Sequence, residues 1–355
     1  MGLVRLLLAV SVVLTHTEAP YALAGGRIAV QLFYMISGFL ISYVLHKDAA
    51  YATVGKFYLA RALRIFPPYY AVAAAVLCLF ILEHDRLAQF AGLPMATRVF
   101  MGVVNLTVLG QDWTSFMSNP AAGGLPLHKF LLAPQAWTLG LELTFYLIAP
   151  FIVRRRKVLV GLLIASLAAR LFGWSLGLDH DPWSYRFFPF ELALFAAGAL
   201  SHQLVLPWAR ATDERWQTPV SIAALALAAG ATALPLIEPL RSVLVFLAFV
   251  GALPFLFLFQ RRRRWDAVLG ELSYPIYLTH WAVAMVVIEL SHRAGLERPP
   301  AFTAIVLVGS IAAAVGLDVC IARPVEKLRA RIKGSGLDPA TRHLSGTRSP
   351  ITDTL

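Results

Sequence analysis

The sequence predicts an all-α fold, a polytopic transmembrane helical bundle of about ten spans with one short re-entrant segment. Three observations predict it. Of 355 residues, 58% are hydrophobic and only 14% charged, against roughly 25% charged in soluble domains. The mean hydropathy is +0.68. Apolar runs close to the roughly 20 residues that a spanning helix needs follow one another from Leu3 to Ala322.

In chain order, the expected spans are Leu3 to His16, Ile28 to Leu45, Pro68 to Leu82, Ala136 to Val153 and Val158 to Leu176, then Phe187 to Leu206, Val220 to Ile237, Val243 to Phe259, Leu272 to Leu290 and Ala301 to Ala322. The run from Val99 to Leu109 is shorter than a crossing requires and reads as re-entrant or interfacial. Charge supports that choice. If this run does not cross and the N-terminus is cytoplasmic, the basic regions Lys56 to Arg64, Arg154 to Lys157, Arg210 to Arg215, Arg261 to Arg264 and Arg323 to Lys333 all fall on one side. Both termini are then cytoplasmic. The Gly- and Pro-containing segment Gln111 to Pro134 becomes an outer loop, long enough to be functional. The chain divides into a transmembrane domain over residues 1–326 and a disordered cytoplasmic tail over 334–355.

The net charge of +11 lies in short clusters between apolar runs, which is a signature of topology and not of nucleic-acid binding. Cys78 and Cys320, both in apolar stretches, argue against a disulfide framework and a metal-thiolate site and read as structural cysteines. Arg5, the apolar stretch after it and Ala22-Leu23-Ala24 resemble a cleavable signal peptide, but His16 and Glu18 follow the apolar stretch directly, and the first segment is expected to stay as a span.

Ionisable groups inside spans cost several kcal/mol unless they pair or face water, so each is a candidate for function. Arg5 and His16 are eleven residues apart, which returns a helix to within about 20° and puts both on one face, roughly 16 Å apart along the axis. His16 is a general base toward a hydroxyl or a helix-end histidine at the outer interface, and position alone does not choose. Arg61 and Arg64, spaced to share a helix face, suit the phosphates of a nucleotide-like donor; they are also what ordinary inner-side charge looks like. Glu142, with Tyr146 one turn on, can orient a histidine or pair structurally with an arginine. His280, in SYPIYLTHWAV, is a second candidate base or a satisfied structural histidine. Arg170, Arg186, Glu191 and Asp318 also sit at or within spans, with no role assigned.

These pieces resemble, in order, the acyltransferase-3 family of membrane acyltransferases. The blocks are Arg5 with His16, VQLFYMISGFLISYVL at Val30 to Leu45, FYLARALRIFPPYY with Arg61 and Arg64, WTLGLELTFYLIAP with Trp137 and Glu142, and LSYPIYLTH ending at His280. The resemblance implies an enzyme that moves an acyl group, by family default acetyl from acetyl-CoA, onto a hydroxyl of an extracytoplasmic glycan or glycolipid. It implies His16 as catalytic residue and places Arg5, Arg61 and Arg64 in donor binding or active-site structure; Glu142 is expected as the catalytic carboxylate beside His16. Trp137, Tyr146 and His280 then serve as substrate or structural support. Acyl-CoA is the co-substrate, no metal is expected, and the setting is a bacterial inner membrane with its lipids, a homo-oligomer being compatible. Gln31 stands where the family often carries an acid, and Thr138 replaces a usual serine. The alternative is a polytopic transporter or exporter in which His16, Glu142 and His280 form a proton or substrate pathway.

Overall fold

The computed structural model describes residues 1–47, 53–82, 84–119, 124–261, 263–299 and 301–334. The expected tail therefore lies, from residue 335 on, outside the described residues. The fold is all-α; among the described residues, β structure is limited to a two-residue ladder pairing Ser118–Asn119 with Leu125–Pro126. The chain is an integral membrane protein by helix length and composition: six helices are long and apolar enough to cross, at Gly26–His46, Val54–Ile81, Arg156–Ser175, Trp183–Ala211, Leu240–Gln260 and Phe302–Leu328. The other four expected spans correspond to helices that are shorter or more polar.

Helix α1 (Gly2–His16) is one of these. Its 15 residues reach only about 22 Å, less than a hydrocarbon core of about 30 Å. It packs between α2 (Gly26–Lys47) and α13 (Arg264–Arg293). Its start is pinned to α13 by the Asp266 carboxylate, which accepts from the backbone N–H of Gly2 at 2.6 Å and of Leu3 at 2.8 Å. These are donors that a first helical turn leaves without partners.

Helix α3 (Val54–Leu82) begins well before the expected Pro68. Pro67 and Pro68 lie inside it, beside the Ile65 carbonyl, which accepts from the Tyr274 hydroxyl at 2.9 Å. After α4 (His84–Ala91), α5 (Met95–Thr107) covers most of the segment expected to be re-entrant. The Tyr69 and Tyr70 hydroxyls donate to the Asn105 and Leu106 carbonyls, so the end of α5 lies beside the middle of α3. Val108, in the left-handed region at φ 64°, stops the helix there.

Helix α6 (Trp137–Ile152) leads to α7 (Arg156–Ser175). The one-turn α8 (Trp183–Arg186) precedes α9 (Phe188–Leu200), which continues through a π segment, Ser201–Val205, into α10 (Leu206–Ala211). Helix α11 (Glu214–Gly230) ends earlier than the expected Ile237, and α12 (Leu240–Arg261) returns alongside it. Helix α14 (Phe302–Leu317) passes through a second π segment, Asp318–Ala322, into α15 (Arg323–Gly334).

Helices α2 and α9 cross at two glycines: a Cβ on Gly38 would sit 2.0 Å from the Phe195 carbonyl oxygen, and one on Gly198 would sit 1.9 Å from that of Met35. Small residues let helix backbones approach where lipid offers no hydrophobic gain on association. Beside the crossing, fully buried Glu191 accepts from Arg170 at 2.7 Å and from the Gln31 amide at 3.1 Å. That explains Gln31. With the carboxylate on α9, an acid at position 31 would set two like charges together in the interior.

Candidate active site

Two clusters of predicted residues form, one at the N-terminal end of α1 and the other at its C-terminal end. In the first, Arg5 from α1, Arg61 and Arg64 from α3, and Glu142 and Tyr146 from α6 line a cavity of about 330 Å³. Ser37 of α2 donates to Glu142 at 2.6 Å, and the Tyr146 hydroxyl donates to the same carboxylate oxygen. None of the three guanidinium groups has a hydrogen bond or ion pair to the protein among the described residues. Arg61, only 8% exposed, lies over the Phe57 and Tyr146 rings with its Nε unpartnered. Three cations around one carboxylate leave an excess of positive charge that an apolar interior tolerates only if an anion shares it.

This cavity shares Arg5, Leu40, Arg64 and Tyr274 with a larger one of about 660 Å³, which is lined also by Asp266, Asp318 and Arg323 at the start of α1. In the other direction it ends at Thr138 and Tyr277, whose hydroxyls are 2.7 Å apart. Tyr277 is the wall between the basic cavity and the second cluster.

There, His16 Nδ1 lies 2.8 Å from His280 Nε2, and His280 Nδ1 lies 2.6 Å from the Tyr277 carbonyl oxygen. A carbonyl only accepts, so His280 Nδ1 carries a proton. With both rings neutral, His280 Nε2 is then an acceptor, His16 Nδ1 donates to it, and the lone pair of His16 falls on Nε2. That nitrogen has no hydrogen-bond partner among the described residues. His280 is 1% exposed while the His16 ring is exposed, so the pair consists of a buried support and an accessible base. Trp281 packs edge-on against His16, with ring centroids 5.6 Å apart.

Glu142 therefore keeps company with the arginines, Ser37 and Tyr146, and the ring of His16 is oriented by another histidine. Gln135, two residues before Trp137, donates to the Leu278 carbonyl at 2.6 Å, and Arg186 lies 4.4 Å over the Trp137 ring. The sequence reading missed Ser37 and Tyr277 as partners, although the second was findable, since a histidine three residues after Tyr277 on a helix reaches back to its carbonyl.

A family model described as an acyltransferase domain matches residues 1–319. A protein of Komagataeibacter xylinus that carries the provisional name membrane-bound transacylase BcsY is 29% identical over 279 residues, which cover 73% of this chain and 66% of that protein. The chain thus spans slightly less than two thirds of the relative's length. No solved structure matches. With the family model covering 319 of 355 residues, the chain belongs to the acyltransferase-3 family of integral membrane acyltransferases.

Proposed function

We propose that the protein transfers an acetyl group from acetyl-CoA to a hydroxyl of an extracytoplasmic glycan or glycolipid, with the start of α1 facing the cytoplasm of a bacterial inner membrane. One observation carries this reading: three unpartnered guanidinium groups line a cavity that reaches Tyr277, whose carbonyl holds His280, the histidine that in turn holds His16. Arg5, Arg61 and Arg64 hold the donor's phosphates, which planar guanidinium forks suit. Glu142, held by Ser37 and Tyr146, adds one negative charge to the cavity that the three arginines line and leaves their forks open to the donor. The roughly 16 Å from Arg5 to His16 is covered by the extended arm that carries the thioester.

His16 Nε2 takes the proton of the acceptor hydroxyl as its oxygen bonds to the thioester carbonyl carbon. The C–S bond then breaks, and the departing thiolate takes a proton from His16, which restores the neutral ring. A nucleophilic His16 would instead carry the acyl group, and ping-pong kinetics would separate that route from this one.

The test is mass spectrometry of surface glycans from cells lacking the protein, complemented with wild type or His16→Ala, together with thiol release from acetyl-CoA by the purified proteins. The acetyl mark should return with wild type alone, and His16→Ala should release thiol at least ~100-fold more slowly with its Tm unchanged. Substantial activity in a folded His16→Ala protein would move the base to His280.

A further inference from the structure

Between the basic cavity and the histidine pair stands one hydrogen-bonded contact. The Tyr277 hydroxyl donates to the Gln135 carbonyl at 2.8 Å, and the Thr138 hydroxyl lies 2.7 Å from that of Tyr277. Thr138 and Tyr277 are buried, and both line the cavity. The Tyr277 ring also packs against the His280 ring, with centroids 5.8 Å apart, and His280 Nε2 lies 2.8 Å from His16 Nδ1. Direct contacts therefore connect the cavity wall to the base at every step. The surroundings of the contact hold it in place. The Gln135 amide donates to the Leu278 carbonyl at 2.6 Å, which ties the segment before α6 to α13 beside Tyr277. The Phe33 ring packs edge-on against that of Tyr277, with centroids 6.3 Å apart. Two residues after Thr138, a Cβ on Gly140 would sit 3.0 Å from the Val108 carbonyl oxygen, so α6 already lies close against the loop behind it.

We propose that Thr138 and Tyr277 form the size filter for the transferred group and admit only a short, uncharged acyl chain. This rests on the acyl-transfer reading above and extends it from the donor's phosphates to its acyl end. A thioester that comes along the cavity meets His16 only where this contact parts, because two hydroxyls 2.7 Å apart leave no gap between them. The opening stays narrow, with Phe33 behind the tyrosine and the packed loop behind α6. Each added methylene must displace packed side chains, which costs about tenfold or more in specificity. Charge is rejected for another reason. Phe33 and Leu139, beside the contact, are apolar, and both hydroxyls are already satisfied by each other and by the Gln135 carbonyl. A carboxylate such as that of a succinyl group would be buried there without a donor.

The experiment is a competition in membrane vesicles from cells that make the full chain together with its acceptor. An equimolar mixture of acetyl-, propionyl-, butyryl- and succinyl-CoA is supplied, thiol release is followed, and the acylated products are counted by mass spectrometry. The product ratio reports relative kcat/KM and does not depend on how much of a variant is folded. Wild type should favour acetyl over butyryl by about 100-fold and leave succinyl at background. Thr138→Ala should lower the acetyl preference by about tenfold or more, and Thr138→Ser, which removes the methyl and keeps the hydroxyl, should fall between the two. Thr138→Val keeps the shape and loses the hydroxyl, so its ratio should stay within about threefold of wild type. Equal transfer of acetyl and butyryl by wild type, a preference for succinyl, a ratio unchanged in both Thr138→Ala and Thr138→Ser, or a relaxation in Thr138→Val equal to that in Thr138→Ala would overturn the filter and leave acyl transfer standing. Thiol release from none of the four donors above that of vesicles lacking the protein would instead overturn the acyl-CoA reading, and the filter with it.

Discussion

One hydrogen bond to a backbone carbonyl sets the tautomers of two histidines 264 residues apart. His280→Ala removes the acceptor for His16 Nδ1–H and frees the ring, and kcat should fall by about 100-fold with little change in either KM. His280→Gln, whose side-chain oxygen can replace Nε2, should recover part of the loss. A purely structural role would show instead as a lower Tm with kcat per folded molecule intact. A different kind of residue effect sits in the loop before α6. Asp112 is 5% exposed, and burial pushes its carboxyl up to about 6 from an ordinary 3.8. Because the folded value is the higher one, its contribution to stability is full below about pH 4 and is lost as pH rises through 6, a cost on the order of 3 kcal/mol for the charged form. Asp112→Asn should therefore raise Tm in detergent at pH 8 and leave it nearly unchanged at pH 4. An equal shift at both would show that charge is not the cause.

Among the elements, α2 and α9 carry the closest backbone contact, and the contact holds only because Gly38 and Gly198 have no side chains. Any Cβ at either position collides with carbonyl oxygen, an atom that cannot rotate away. Gly198→Val should lower the Tm of the purified protein by several degrees or abolish its accumulation in the membrane; a Tm equal to that of wild type would mean that the helices can part without penalty. The same helix pair holds the Gln31–Glu191–Arg170 cluster, so separating the helices would also strand a buried carboxylate. Helices α1 and α13 are held differently, by Asp266 on the first turn of α1 at one end and by the His16–His280 bond at the other. That double attachment keeps a helix too short to cross by itself at a fixed depth.

For the molecule as a whole, the proposed function depends on continuity between the basic cluster and the start of α1. Leu40 lies on both cavities that make up this path. Leu40→Trp should fill the junction, raise the KM for acetyl-CoA by tenfold or more and leave Tm within a few degrees, since the added ring enters empty space. Unchanged donor kinetics in that variant would mean that the donor enters by another route.

The sequence determined the class of the molecule, its helix order and which ionisable residues were candidates, because these follow from local quantities. Hydropathy marks spans, proline and glycine mark boundaries, and an ionisable group in an apolar run declares itself as costly. Even there α3 began fourteen residues before the expected Pro68, because paired prolines read as a helix start until Tyr274 supplies a tertiary hydrogen bond beside them. Arg5 and His16 on one helix face were legible from an eleven-residue spacing. What only the tertiary structure decided was partnership. The sequence points to Glu142 as the group beside His16 and leaves His280 a second candidate base or a structural histidine; the structure puts His280 there, because α13 lies parallel to α1 while α6 brings its carboxylate to the arginines. Hydrogen bonds and ion pairs act over about 3 Å, and which groups come within that range depends on the packing of helices far apart in sequence.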